Sequence, residues 1–233
     1  LLDDCPAAYE RLFRDFFAGR ELEIVRLPGV GNAKTFLAQL EILTKQDDAP
    51  LVYLAEDDYL YRPRTMPDMI DFLTSHDDVE FISPFDHPDY YSLPLTRSHC
   101  TLRVHGASHW RTAGTTCLTF LTRRELLRET RPVFESYARR NYDASVWLAL
   151  TKHRVFNPVA MLRLLLRSRV ERMTVAKAWL FGWRQILFGA TRRLWTPVPS
   201  IATHLVEGGM ARGVDWHSCG LPGGPARSPQ EGK

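Results

Sequence analysis

The chain is 233 residues long, 45% hydrophobic and 24% charged, which fits one large globular domain or a domain with an appendage and excludes a collagen-like, disordered or disulfide-dense chain. No run of 18 or more apolar residues occurs, so no membrane-spanning helix is expected. The net charge of +3 hides a separation: residues 152–193 hold ten Lys/Arg against one acid, Glu171, a net +9 that leaves the remainder at −6.

The chain opens on Leu1-Leu2-Asp3-Asp4, which reads as the tail of a strand. An upstream strand and helix are expected to belong to the natural domain. Pro6 suits the first turn of a helix whose inward face is Tyr9, Leu12, Phe13, Phe16 and Phe17. Gly19 ends it, and residues 22–27 form a strand. The turn 28–32 leads into a helix with Phe36, Leu37, Leu40 and Leu43 inward. Leu51 to Ala55 is an unbroken apolar run, the pattern of a strand buried on both faces. This β-α-β-α-β order predicts a parallel sheet flanked by helices. Pro67 opens a further helix, 79–83 is a short strand, and 84–91 is a loop rich in polar and aromatic groups. Strands are expected within 101–104 and 110–121, then helices at 123–129, 132–140 and 144–152. Residues 154–195 read as mostly helical, with Pro158 near the start. A Pro- and Gly-containing tail over 197–216 and disorder beyond Gly220 complete the chain.

The strand at 51–55 runs into Glu56, Asp57 and Asp58. Acids at the C-terminal end of such a strand stand where α/β folds bind ligands. Crowded carboxylates repel one another, so a cation, basic side chains or N–H groups must offset them. A hard divalent ion with open positions for phosphate oxygens satisfies that need; a solvated acidic turn is the plainer alternative. The loop Gly29-Val-Gly-Asn-Ala-Lys34-Thr35 is similar to a phosphate-binding P-loop, but Ala33 and Pro28 stand where that loop needs glycine. A turn with Asn32 capping the following helix is simpler. The cysteines (Cys5, Cys100, Cys117, Cys219) form no C-x-x-C pair, so no zinc signature is present and a reducing, cytosolic setting is expected.

Taken together, four places resemble the GT-A glycosyltransferases of the bacterial, family-2 kind. Leu2-Asp3-Asp4 resembles the strand-end acids that contact the donor nucleoside. Gly31-Asn32 resembles the turn after the third strand. Glu56-Asp57-Asp58 resembles the D-x-D element that holds a metal on the diphosphate. Ser200-Ile-Ala-Thr-His204 resembles the late histidine that completes the metal shell. The first strand of that fold, which contacts the nucleobase, has no counterpart from Leu1 onward and is expected upstream of it. The resemblance implies an α/β, GT-A-like fold of the nucleotide-diphospho-sugar transferase type: a mostly parallel sheet flanked by helices, with a helical C-terminal appendage. It implies a catalytic domain over 1–153 and 196–219, the basic amphipathic segment 154–195 and a disordered tail over 220–233. The implied activity is metal-dependent transfer of a sugar from a nucleotide-sugar donor to a saccharide or lipid-linked acceptor, with inversion expected.

On this resemblance Asp58 and His204 are the metal ligands, for Mn²⁺ or Mg²⁺, and Asp3, Asp4, Asn32, Glu56 and Asp57 bind the donor. The ion would stabilise charge on the departing diphosphate as a Lewis acid, and a histidine nitrogen favours Mn²⁺. Inversion needs a base. Asp143, ahead of a helix in Asn141-Tyr-Asp-Ala-Ser145, is the candidate; a helix N-terminus would keep it ionised, and helix capping is the competing role. Asp86 and His87 are the second acid/base candidates. Phe85, Tyr90 and Tyr91 could stack on a sugar ring or pack within the loop. Trp110-Arg111-Thr112 and Thr115-Thr116 could line an acceptor pocket or simply pack. The basic segment with Trp179, Trp183 and Trp195 suits an anionic membrane surface, a lid over the donor, or a helix with a solvated basic face. Nucleic acid is not expected as a partner. The competing functions are a P-loop-like NTPase dependent on Lys34 and a non-enzymatic membrane-surface binding module.

Overall fold

The computed structural model describes residues 1–96, 100–157, 168–206, 208–216 and 218–219. The expected helical start near Pro158 and the expected disorder over 220–233 lie outside the described residues.

The chain folds as an α/β protein around a mixed six-stranded sheet. Its strands are β3 (Leu51–Leu54), β5 (Phe81–Ile82), β6 (Leu102–His105), β7 (Ser108–Ala113), β8 (Phe120–Arg123) and β9 (Leu194–Val198), in the order β3-β8-β5-β9-β7-β6. The expectation of a mostly parallel sheet fails. Only β5 and β9 are parallel neighbours; β8 runs antiparallel between β3 and β5, and β7 runs antiparallel between β9 and β6. The early strands β3 and β5 do share a direction, as a crossover through a helix requires. The later antiparallel strands separate them. A strand covered on both faces reads as an apolar run whichever way its neighbours run, so composition could not reveal the direction.

Both faces are covered. Val52, Leu54, Phe81, Phe120 and Leu194 point to one side, where they pack with helices α2 (Asn32–Lys45), α5 (Arg124–Phe134) and α6 (Asp143–Thr151). Ile82, Leu121 and Trp195 point to the other, against Met69, Phe72 and Leu73 of α3 (Thr65–Thr74). The alternation within each strand follows from the two-residue repeat of the pleat. Phe81, Phe120, Phe134 and Trp147 meet edge-on or stacked, with ring centroids 5.0–6.1 Å apart. Burying each such side chain stabilises the fold by about 1.5–3 kcal/mol.

Two small pairs flank this sheet. β1 (Leu2–Asp3) lies parallel to β2 (Arg26–Leu27) across α1 (Ala7–Phe16). β4 (Tyr59–Tyr61) pairs antiparallel with β10 (Ala202–His204). Pro132, expected to separate two helices, sits inside α5; the chain then tightens into a 3₁₀ turn over Glu135–Arg139. Within the basic segment, α7 spans Arg169–Phe188, but Leu194 and Trp195 are strand residues in the middle of the sheet. A short helix, α4 (Asp89–Ser92), interrupts the polar loop after β5.

Candidate active site

The site forms where the chain leaves β3. Ala55 to Asp58 turn the chain into β4, and the register of β4 on β10 sets His204 opposite Tyr59. Leu205 donates its N–H to the Asp58 carbonyl at 2.7 Å, extending that ladder by one bond. Asp58 and His204, 146 positions apart in sequence, thus meet with Nε2 2.6 Å from Oδ2. The His204 ring stacks on buried Tyr59, centroids 5.1 Å apart and planes 25° apart. The second carboxylate oxygen of Asp58 is buried and has no hydrogen-bond partner.

Glu56 stands beside this pair. Its N–H donates to Thr119 Oγ1 at 3.0 Å, and that hydroxyl donates back to Oε2 at 3.1 Å. Burial pushes the Glu56 carboxyl above its ordinary value. The Thr119 hydrogen bond opposes the shift, the negative charges of Asp58 and Asp143 add to it, and His204 offsets part. Asp57 is exposed at the tip of the turn.

Asp143 is the first residue of α6, after Tyr142 at the cap position. It accepts the Ala144 N–H at 2.6 Å through Oδ1. The helix N-terminus was expected to hold this carboxyl ionised; instead burial raises it, against the Ala144 hydrogen bond and the nearby His87. His87 is itself pushed down by burial, while the carboxylates of Asp89, Asp143 and Asp86 pull it back up. Its Nδ1 accepts the Asp89 N–H at 3.1 Å, which places the proton of the neutral ring on Nε2. Glu56, Asp58, His87, Asp143 and His204 therefore form one electrostatically connected group.

Asp86 is committed elsewhere. It is buried, with Oδ1 3.4 Å from Arg111 Nε and Oδ2 accepting the Tyr91 hydroxyl; its N–H donates to Ser200 Oγ at 2.9 Å. Arg111 lies over the rings of Tyr90 and Tyr91, 4.7 and 4.9 Å from their centroids. This arrangement braces the loop; burial raises the Asp86 carboxyl above its ordinary value, against the Tyr91 hydrogen bond and the Arg111 and His87 charges. Phe85 and Tyr90 are buried and Tyr91 is half exposed. Trp110 packs face to face on Phe72 at 4.2 Å, and Thr116 donates to Ser83 Oγ at 2.8 Å, so both pack rather than line a pocket.

The donor-side candidates are dispersed. The Asp3 carboxylate accepts the N–H groups of Val30 (2.8 Å) and Gly31 (2.7 Å) and the Thr35 hydroxyl (3.4 Å). Those bonds, Val30's foremost, hold Asp3 below its ordinary value. Gly29 and Gly31 adopt φ of 75° and 81°, the left-handed conformation that glycine tolerates best. The glycine loop does wrap an anion, but the anion is the chain's own carboxylate. Gly31, not Asn32, occupies the cap position of α2. Asn32 Nδ2 instead donates to the Tyr137 hydroxyl at 3.3 Å. Asp4 is exposed and lines a shallow cavity of about 280 Å³ with Cys5, Glu10 and Arg26.

Three neighbours of the site carried no signal in the sequence. Thr119 fixes Glu56. Tyr137, in the 3₁₀ turn, feels the charges of Asp143 and Glu56. The thiol of Cys117 is pushed up to about 12 by burial and by the surrounding carboxylates, which keeps it protonated and inert.

Among the described residues no group of three or more His, Cys, Asp or Glu is arranged to hold a metal ion. A pair remains, Asp58 with His204. An orphaned buried carboxylate oxygen beside an imidazole nitrogen is a mixed O/N donor set of the kind Mn²⁺ accepts. Two protein donors would leave the other positions of such an ion to phosphate oxygens and water. Compared with protein-family models, curated proteins and solved structures, the chain matches none.

Proposed function

We propose that the protein is a glycosyltransferase of GT-A-like design, moving a sugar from a nucleotide-sugar donor to a saccharide or lipid-linked acceptor, with inversion. The observation that carries this reading is the convergence of Asp58 and His204 at the end of β3, with an unpartnered buried oxygen, beside a carboxylate held high in Asp143. The early β1-α1-β2 unit and the acid-ended β3 support the fold likeness; the antiparallel β7 and β8 depart from it.

In this scheme Asp58 and His204 would hold Mn²⁺ or Mg²⁺, whose chemistry is Lewis-acid stabilisation of the departing diphosphate. Glu56, fixed through Thr119, accepts hydrogen bonds from donor hydroxyls. The acceptor oxygen forms a bond to the anomeric carbon as the bond from that carbon to the diphosphate breaks. Asp143 removes the acceptor proton, and burial brings its carboxyl closer to the pKa a base needs near neutrality. His87, with its ring proton on Nε2, would offer that N–H to a substrate oxygen. A donor of this class is a cytoplasmic metabolite, so the chain would work in the cytoplasm, at the inner face of the membrane when its acceptor is lipid-linked. Among the described residues no helix is long and apolar enough to cross a membrane.

The test is a thermal shift with Mn²⁺ and a panel of UDP-, GDP-, CMP- and dTDP-sugars, on this chain and on Asp58→Ala. A shift that needs both metal and one nucleotide class, lost in Asp58→Ala, is expected. No shift with any donor, or a shift kept in Asp58→Ala, would overturn the assignment.

A further inference from the structure

Helix α7 has a buried face and, opposite it, an exposed apolar one, and only the first has a protein partner among the described residues. The inner face is Glu171, Thr174, Ala178, Gly182 and Ile186. It lies against α6: Ser145 Oγ donates to the Thr174 carbonyl at 2.8 Å, and Gly182 sits so close to Ala149 that a Cβ there would stand 2.5 Å from the alanine's. The outer face carries Met173, Leu180, Trp183 and Leu187, 41%, 69%, 44% and 48% exposed, and ends at Phe188, 79% exposed. Those positions recur at helical spacing and form one ridge. Phe156, 57% exposed, stacks edge-on against Trp179 with centroids 6.0 Å apart at the flank of the helix.

The charges beside this ridge have one sign. Arg169, Arg172 and Arg184 are exposed on α7, and Arg139 reaches over the Phe181 ring, 6.0 Å from its centroid. The helix has one acid, Glu171, and it is turned inward, accepting the Leu95 N–H at 2.9 Å. A symmetric second copy on this face would bring arginine rows towards one another. A surface that is apolar below and negatively charged above complements both features, as the headgroup region of an anionic bilayer does.

We infer that the outer face of α7 is a docking surface for anionic lipid membranes, on which the helix lies in the plane of the interface. The surface stands apart from the transferase chemistry, since its binding needs neither donor nor metal. Its value to the site is positional: α7 is locked to α6, the helix that starts at Asp143, so a membrane held by α7 keeps a fixed relation to that carboxylate.

The experiment is co-sedimentation of the full chain with phosphatidylcholine vesicles, with or without about one third phosphatidylglycerol, in the absence of nucleotide and metal. Expected are binding to the anionic vesicles, binding to pure phosphatidylcholine at least about tenfold weaker, and loss of the difference at high salt. Leu180→Glu/Leu187→Glu and, separately, Arg169→Glu/Arg184→Glu should each weaken anionic-vesicle binding by about tenfold or more while the melting curve stays unchanged. Absence of binding to anionic vesicles would overturn the inference, as would binding by both double variants as tight as that of the unsubstituted chain. A concentration-dependent dimer lost in Leu180→Glu/Leu187→Glu, without vesicle binding, would assign the face to a second copy instead.

Discussion

Replacing Asp143 by Asn should make the protein more stable and, on the proposed chemistry, inactive. Burial raises the Asp143 carboxyl above its ordinary value of 3.8, so the folded state binds this proton more tightly than the unfolded state does. The sign follows from linkage. Below 3.8 both states are protonated and the group costs nothing. Between 3.8 and the raised folded value the unfolded chain ionises first, and stability falls as pH rises. Above the folded value the loss is complete. Each unit of elevation is worth about 1.4 kcal/mol. For a domain of this size that amounts to roughly 3–5 °C in Tm. Asn is nearly isosteric, and its carbonyl can still accept the Ala144 N–H, so the substitution removes the charge and leaves the helix start intact.

The assay is a pair of melting curves for wild type and Asp143→Asn, taken from about pH 3.5 to pH 8. The variant should melt higher at neutral pH, with the gap closing as pH falls to the ordinary carboxylate range. Transfer activity at pH 7.5 should fall by about 10²–10⁴, the usual contribution of a general base. A variant that melts lower than wild type at neutral pH would refute the claim that burial dominates this carboxyl. Retained transfer activity would remove Asp143 from the chemistry.

Two further outcomes probe the frame around the site. Arg111→Met strips the cation from buried Asp86 and should cost about 3 kcal/mol, or roughly 6–12 °C in Tm, with the penalty shrinking at acid pH as Asp86 takes up a proton; an unchanged melting curve at pH 7.5 would mean the pair does not brace the loop. Gly182→Val should lower Tm by about 4–10 °C, because its Cβ cannot be accommodated against Ala149 and α7 must move off α6; differential scanning calorimetry measures it, and a neutral result would show the two helices to be loosely held.

Much of the local structure was legible because local rules govern it. The run Leu51–Ala55 ends in acids because a strand buried on both faces must stop where the chain meets water, and that junction needed no partner to be recognised. The direction of the sheet depends on where β7 and β8 insert, which is a matter of long-range pairing, and Phe120 and Leu121 are apolar for either direction. The fate of Asp86 could not be read either. Its partner Arg111 lies 25 positions away on β7, and no local rule links that strand to an Asp-His pair in an aromatic loop. For Asp143 the position at a helix start was legible, but the balance between the helix and burial was not: the favourable N–H is local, and the packing that outweighs it is not.

The glycine loop shows how one local geometry serves two ends. Left-handed glycines at 29 and 31 turn consecutive backbone N–H groups towards a single point, which is the physical requirement for holding any anion. A nucleotide-binding loop leaves that point open for phosphate. Here Asp3, at the end of β1, fills it and ties the strand to the start of α2, so the N–H groups of Val30 and Gly31 are engaged before any ligand arrives. Phosphate binding there would have to displace a carboxylate that these same bonds hold ionised. At the end of β3, by contrast, Glu56 and Asp143 are raised by burial and an oxygen of Asp58 has no partner, so that oxygen is one no neighbouring N–H group has taken up.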